Sequence, residues 1–198
     1  EVADKRAREW FLQLYEQKHS LAEEGNGKVI LNVGSDDWPF PVPLTKKADR
    51  WVFNTQEGKE EILNRRIGRN ELATIQVCLA VVDAQREYAL KDRDRNGLLD
   101  YAQRFISTKG KKDGLYWETK EGEEPSPLGS LVARAVEEGY GKKFAGKPAP
   151  YHGYYYRLLK AQGKNAPGGA FDYLVKGKMI GGVAVVAYPA EYGDSGVM

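Results

Sequence analysis

Residues 70–103 read NELATIQVCLAVVDAQREYALKDRDRNGLLDYAQ, and this stretch decides the fold. Its first part carries apolar residues at Leu72, Ile75, Leu79 and Val82. Steps of three and four predict a long amphipathic helix with these four side chains in its buried stripe. Cys78, Val81 and Tyr88 widen the stripe, so the helix is expected to be buried on more than one side. The second part of the stretch is polar and acidic, so the helix is expected to end in a loop.

That loop has the ligand spacing of an EF-hand-type calcium site. Such a loop places oxygen ligands at positions 1, 3 and 5, glycine at 6, a backbone carbonyl at 7, a ligand or water at 9 and glutamate at 12. Position 12 here is a neutral glutamine, which predicts modest affinity or a ligand supplied from elsewhere. The sequence therefore predicts a calcium site made by Asp92, Asp94, Asn96, the Leu98 carbonyl, Asp100 and Gln103, with Gly97 at the turn.

A solvated turn without a metal is the alternative interpretation of the loop. Arg93, Arg95 and Arg104 would then offset the acidic side chains, and Gly97 would occupy a left-handed position. The pattern D-x-D-x-N-G alone matches many loops that bind nothing. The helix ahead of it and the presence of Asp100 favour the calcium interpretation.

Composition narrows the function classes. The chain has 198 residues, 41% of them apolar, enough for one domain or two small ones. Its 30 basic and 28 acidic residues nearly cancel, and no basic block appears, so no nucleic-acid partner is expected. No apolar run is long enough to cross a membrane. The single cysteine, Cys78, leaves no disulfide within the chain.

The remaining patterns predict an α+β fold, in which the long central helix packs on an antiparallel sheet behind an N-terminal helix and a β-hairpin. Two domains are expected, 1–68 and 69–198. Asn70 is expected to cap the central helix. The other expected elements are helices at 2–24, 55–66 and 101–106, a helix capped by Ser126, a proline-rich edge at 38–43, a hairpin at 44–54, and strands at 28–33, 151–159, 171–175 and 179–187.

Catalytic signals are weak, and an enzyme is the less favoured interpretation. Cys78 lies in the middle of an apolar helix, where a thiol is not activated. A tyrosine-rich strand could stack on a sugar or peptide through Tyr151, His152, Tyr154 and Tyr156. Alternating aromatic residues on a strand are more often core and cross-strand pairs.

Several runs of sequence resemble an uncharacterised bacterial family, the domain of unknown function DUF2950. The resemblance extends over nearly the whole chain from about residue 38. The matching runs are WPFPVPL (38–44), ILNRRIGRNELATIQVC (62–78), DAQREYA (83–89), DRNGLLDYAQR (94–104), GLYW (114–117), SPLG (126–129), YHGYYYRLL (151–159), APGGAFDY (166–173) and MIGGVAVVAYPAEYGDSGVM (179–198).

The resemblance implies an exported protein of Gram-negative bacteria, periplasmic or extracellular, made with a signal segment. It transfers no catalytic residues. Members of the family continue past this end with a further strand, which implies an open sheet edge near Met198 that could pair with another chain or a C-terminal fragment. A weaker resemblance, of fold only, links the helix and the sheet to type IV pilin and pseudopilin heads, but the apolar pilin helix is missing.

Three functional expectations follow. The first is a non-enzymatic binding or assembly module of the cell envelope with a calcium loop. The second is a subunit of a pilus-like or multichain assembly whose sheet is completed by a strand from another chain. The third is a hydrolase with a site near His152 and the tyrosine-rich strand.

Overall fold

The computed structural model describes residues 2–140 and 149–197, so Met198 lies outside the described residues. It confirms the α+β class, and every named strand pair is antiparallel. The chain divides into two compact units, residues 1–66 and 67–198. The elements are α1 (Val2–Gln17), β1 (His19–Gly25), β2 (Lys28–Val33), β3 (Trp38–Pro39), β4 (Leu44–Lys47), β5 (Arg50–Phe53), α2 (Thr55–Tyr88), α3 (Gly129–Glu137), β6 (Tyr154–Leu159), β7 (Ala161–Gln162), β8 (Phe171–Asp172), β9 (Leu174–Val175), β10 (Lys178–Met179) and β11 (Ala184–Pro189).

The first unit is a meander-like sheet in the order β1-β2-β4-β5, with β3 also paired to β2. The predicted strand 28–33 and hairpin 44–54 are confirmed. The proline-rich run forms the short strand β3, consistent with the difficulty of placing prolines inside a sheet. The aromatic rings of this run contact α1. The ring centroids of Trp38 and Trp10 lie 6.0 Å apart, and those of Phe40 and Phe11 lie 5.2 Å apart.

The predicted helix over 2–24 is too long. It ends at Gln17, and residues 19–25 form β1 instead. Asn26 and Gly27 have φ values of 52° and 70°. Two successive positive φ angles suit the tight turns that connect twisted hairpin strands. The Asn-Gly pair is therefore the turn of the β1–β2 hairpin and not a helix stop.

The prediction of two helices on either side of Gly68 is wrong, because α2 is one continuous helix of 34 residues. Asn54 caps its start: Asn54 Oδ1 accepts the Glu57 amide at 3.3 Å, and Asn54 Nδ2 donates to the Glu57 carboxylate at 3.1 Å. Asn54 is therefore a side-chain N-cap, and Glu57 is held by its side chain, while the backbone amide of Asn54 donates to the Pro43 carbonyl at 2.8 Å. Asn70 is not a cap, and its side chain donates to the Ser195 carbonyl at 2.9 Å.

The buried face of α2 in the second unit also differs from the predicted stripe. Leu72, Ile75 and Leu79 are 67%, 49% and 54% exposed. The helix is apolar on several sides, and two stripes share the same three-and-four spacing, so periodicity alone selects neither. The side chains that enter the core are Val77, Val81, Ala84 and Tyr88.

The core of the second unit forms where this face of α2 meets the β6–β11 ribbon and α3, consistent with the predicted helix on an antiparallel sheet. The predicted strand 151–159 begins only at Tyr154, because His152 and Gly153 have φ values of 48° and 75° and form a turn. The predicted strand 179–187 is split into β10 and β11.

Two helix predictions in the second unit are also corrected. Residues 101–106 form no helix; Tyr101 bridges Met179, and Ile106 bridges Tyr116. The helix expected to be capped by Ser126 starts at Gly129, and its N-cap residue, Leu128, makes no side-chain hydrogen bond.

Candidate functional site

The loop after α2 is shaped by hydrogen bonds from its own side chains. The Asp92 carboxylate accepts the backbone amides of Asn96 and Gly97 at 3.1 and 2.8 Å. Asn96 Oδ1 accepts the amide of Leu98 at 2.8 Å. Asp and Asn side chains commonly replace backbone partners in this way. Gly97 has a φ of 80°, so the left-handed position expected from the sequence is present.

Two of the predicted calcium ligands converge on a lysine. The Lys178 ammonium donates to the Asp94 carboxylate and lies 3.7 Å from that of Asp100. The bridge between Tyr101 and Met179, closed by a 2.8 Å hydrogen bond, brings Lys178 to the loop. Sequence reasoning missed Lys178 because it lies 84 residues after Asp94 and 78 after Asp100, and nothing in its local pattern points to the loop.

The ionisation of the three groups reflects this arrangement. The hydrogen bond to Asp94 raises the pKa of Lys178. The hydrogen bond from Lys178 lowers the pKa of Asp94. Asp100 behaves differently, because burial, together with the charges of Asp94 and Asp92, raises its pKa and Lys178 only partly offsets the rise. Asp94 is therefore the better partner of the ammonium, and Asp100 is the more weakly stabilised anion.

The remaining predicted ligands make other contacts. Gln103 Nε2 donates to the carbonyl of Gly177 at 2.7 Å. Asp92 and Asn96 are used in the backbone contacts of the loop itself. Among residues 2–140 and 149–197, no three His, Cys, Asp or Glu side chains form a group that could hold a metal. The donor types suit a hard cation, but the ammonium of Lys178 holds the position between Asp94 and Asp100.

The end of the loop is fixed by Gln85, a residue that the sequence did not single out. Gln85 is fully buried on α2 and binds both backbone polar groups of Ala102. A buried glutamine satisfied on both sides of its amide is a rigid connection. It holds the segment that follows Asp100 against the helix that precedes Asp92.

A polar cleft of about 410 Å³ adjoins the loop. Tyr88 lies in its wall, and its hydroxyl donates to the Lys112 carbonyl at 2.9 Å. Three acids line the cleft, namely Asp94, Asp100 and Asp113. Five cationic side chains line it as well: Arg93, Arg104, Lys111, Lys112 and Lys178.

The tyrosine-rich segment uses its hydroxyls inside the protein. Tyr151 and Tyr154 are 8% and 3% exposed. Tyr154 donates to Glu71 at 3.4 Å, and Tyr156 donates to Thr74 at 3.1 Å. Burial raises the pKa of Tyr151 and of Tyr156 to about 12. Neither the cleft nor the 330 Å³ cavity in the first unit is lined by these side chains.

His152 belongs to a cluster organised by Glu138, another residue that the sequence did not single out. Glu138 Oε2 lies 3.4 Å from His152 Nε2 and accepts the Tyr151 hydroxyl at 3.1 Å. Burial alone would raise the pKa of Glu138, but hydrogen bonds from Arg134 and Tyr151 outweigh it and lower that pKa. Burial lowers the pKa of His152 despite the nearby carboxylate.

Cys78 shows no sign of activation. It lies half-buried in α2, and burial raises the pKa of its thiol. A nucleophilic cysteine requires a lowered pKa. The described part of the chain also contains no helix that is both long and apolar enough to cross a membrane.

Comparison with known proteins gives one family and no characterised relative. No curated protein and no solved structure matches the chain, so the resemblance to pilin heads is not confirmed. A family model described as "Protein of unknown function (DUF2950)" matches residues 1–198. The match extends over the whole length, further than the resemblance from about residue 38 that the sequence runs indicated, and the chain therefore belongs to the DUF2950 family.

Proposed function

We propose that this chain is a non-enzymatic binding or assembly module of the bacterial cell envelope, stabilised by calcium at the loop after α2. One observation carries the proposal: the carboxylates of Asp94 and Asp100 converge on a single cationic group, the Lys178 ammonium. A position that holds a cation between two carboxylates is suited to a second type of cation. The export implied by the family resemblance would place the loop in a compartment where calcium is abundant.

The loop supports the proposal beyond this one contact. Asp92 binds the amide of Gly97, so the first and sixth positions of the EF-hand pattern are already connected. Calcium would be held by Asp92, Asp94, Asn96, Asp100 and the Leu98 carbonyl, with Lys178 released. Gln103 would contribute only its Oε1, because its Nε2 donates to the carbonyl of Gly177. Affinity would be modest, since a lysine must be displaced and no bidentate glutamate is present.

A thermal melt in metal-depleted buffer and then in calcium tests the proposal. An ion that binds only the folded protein raises the melting temperature, and the rise grows with its concentration. The wild type should gain stability in millimolar calcium, whereas Asp92→Asn and Asp94→Asn should gain none. Asp83→Asn, which removes an exposed acid from α2, is the matched control and should respond like the wild type. Equal shifts in all four proteins, or none, would overturn the proposal.

A second candidate function is assembly through a sheet edge. Within residues 149–197, β11 pairs only with β6, and its other edge has no strand beside it. An unpaired edge is a template for a strand from another chain. Val185 packs toward the core, so Val186 faces the opposite side of the ribbon. For assembly between copies of this chain, sedimentation should show oligomers that Val186→Lys dissolves; a wild type that stays monomeric when concentrated would contradict it.

A hydrolase near His152 has narrower support, namely the contact between His152 and Glu138. A general base needs a substrate within hydrogen-bond reach, and neither the cleft beside the loop nor the 330 Å³ cavity of the first unit is lined by this pair. Screening ester and glycoside substrates with the wild type and His152→Gln tests the idea. Turnover lost in the variant would favour the hydrolase, and equal background rates would exclude it for those substrates.

A further inference from the structure

We propose that the cleft beside the loop is a binding site for a small multivalent oxyanion, with phosphate or carboxylate groups, held by Arg93, Lys111 and Lys112. The proposal does not rest on calcium binding. It rests on a cavity of suitable size, on an excess of positive charge within it, and on a buried arginine whose polar groups are only partly satisfied.

Arg93 is the buried element of the site. Its side chain is 8% exposed and lies between two aromatic rings, 4.7 Å from the centroid of Tyr88 and 5.3 Å from that of Trp117. Its Nε is buried and has no hydrogen-bond partner among the described residues. Buried donors without partners are rare in native proteins and call for an explanation. Stacking, not hydrogen bonding, holds this guanidinium in place.

The charge of Arg93 is incompletely neutralised. The carboxylate nearest to it belongs to Glu124, 3.7 Å away, and the same oxygen accepts a 2.8 Å hydrogen bond from Lys91. Lys112 adds a third cation near Glu124, and the three together lower the pKa of that carboxyl, with the Lys91 hydrogen bond contributing most. The single negative charge of Glu124 is therefore shared among three cations and cannot neutralise all of them.

Two cations also share one ring. The Lys112 ammonium lies 5.2 Å from the centroid of Trp117, the ring that Arg93 also contacts. Two cations beside one ring add positive charge at this wall of the cleft, which favours an anion there. Arg104 and Lys178 are already paired, with Asp113 and with Asp94. Among the described residues, Lys111 and Lys112 make no direct ion pair, and Lys112 interacts with Glu124 only at longer range, so both can still bind an anion in the cleft.

The volume and the lining define the ligand class. About 410 Å³ falls at the lower end of the range for small-molecule sites. The walls carry more charged than apolar side chains, which disfavours a hydrophobic ligand. Planar guanidinium groups match carboxylate and phosphate oxygens, and lysines contribute flexible point charges. The ligand class is thus a compact molecule with two or more oxyanion groups.

Calorimetric titration with pyrophosphate, and separately with citrate, tests the site. The buffer is depleted of metals over a resin, because a soluble chelator is itself a polyanion and calcium would bind both probes. We expect saturable binding to one site that weakens as salt is added. Binding of pyrophosphate but not citrate would identify a phosphate ligand, and the reverse would identify a carboxylate.

The variants are chosen to remain folded. Lys111 and Lys112 are exposed, and replacing both with glutamine should weaken binding by about tenfold, the combined effect of two partly screened ion pairs. The control replaces the exposed Lys160 and Lys164 with glutamine, which removes the same charge outside the cleft. No saturable binding of either probe, or equal losses in the test and control proteins, would overturn the proposal.

Discussion

Gln85 and Ala102 exchange two hydrogen bonds although 17 residues separate them. The Gln85 amide nitrogen donates to the Ala102 carbonyl at 2.9 Å, and the Ala102 amide donates to Gln85 Oε1 at 2.9 Å. Both residues are essentially excluded from solvent. This pair closes residues 85–102 into a loop with fixed ends, so the charged residues within it are held close to the end of α2.

Replacing Gln85 with methionine should destabilise the protein by about 3 kcal/mol, because two buried backbone groups each lose a partner at about 1–3 kcal/mol apiece. Methionine keeps the volume, so packing contributes little to the loss. Gln76→Met, at an exposed position on the same helix, should change stability by less than about 0.5 kcal/mol. Urea unfolding measures the stability of both variants, and an equal loss in the two would contradict this role of Gln85.

Gly68→Ala should stabilise the protein by about 0.5–1 kcal/mol. The residue lies inside α2 with open space where a Cβ would stand, and glycine is a poor helix residue. Gly58→Ala is the matched contrast, because its Cβ would approach a Val42 methyl to 2.7 Å. That variant should lose about 1–3 kcal/mol from overpacking. A destabilised Gly68→Ala would show that the helix breaks there.

The buried face of α2 can be tested by two truncations. Val81→Ala should cost about 2 kcal/mol, because Val81 is 2% exposed in the core. Leu79→Ala removes more carbon atoms but from a side chain that is 54% exposed, so it should cost less than about 0.5 kcal/mol. Chemical denaturation distinguishes the two. A larger loss of stability in Leu79→Ala than in Val81→Ala would show that Leu79 lies on the buried face, as the sequence predicted.

His152 should titrate below its ordinary pKa of 6.5, because burial disfavours the imidazolium. Glu138→Gln should lower the pKa of His152 further, since the carboxylate is the group that raises it. The lowered pKa means that the unfolded chain binds more protons below about pH 6.5, so this residue makes the protein less stable as the pH falls through that window. NMR titration of the imidazole measures the shift. A value of 6.5 or above, or an upward shift in Glu138→Gln, would contradict the assigned environment.

Much of the fold could be predicted from local patterns. The hairpin at 44–54 and the strand at 28–33 follow from alternation and turn residues, and the α+β class follows from one long apolar helix among short strands. The errors have physical causes. Asn26-Gly27 suits both a helix end and a hairpin turn, and only the pairing of β1 with β2 decides between them. The helix α2 is apolar on several faces, so the face that is buried depends on its tertiary contacts and not on its sequence pattern alone.

The candidate site was only half visible in the sequence. The acidic loop is a local sequence pattern, and the structure places Gly97 at the left-handed position that the pattern predicts. Lys178, Gln85 and Arg93 determine how the loop and the cleft behave, yet each acts through a contact between distant parts of the chain. A single lysine, glutamine or arginine has no sequence pattern around it that indicates a contact with a distant part of the chain. A lysine that binds two loop carboxylates is found only when the β10 bridge is known.

The central claim is that the place held by the Lys178 ammonium is a cation site that calcium can take. Calorimetric titration of calcium into the wild type and Lys178→Gln tests it most directly, with Lys176→Gln as a control that removes an exposed charge nearby. We expect binding to the wild type, several-fold tighter binding to Lys178→Gln because the competing cation is gone, and little change in Lys176→Gln. No calcium binding by the wild type and Lys178→Gln at millimolar concentrations, or weaker binding by Lys178→Gln, would contradict it.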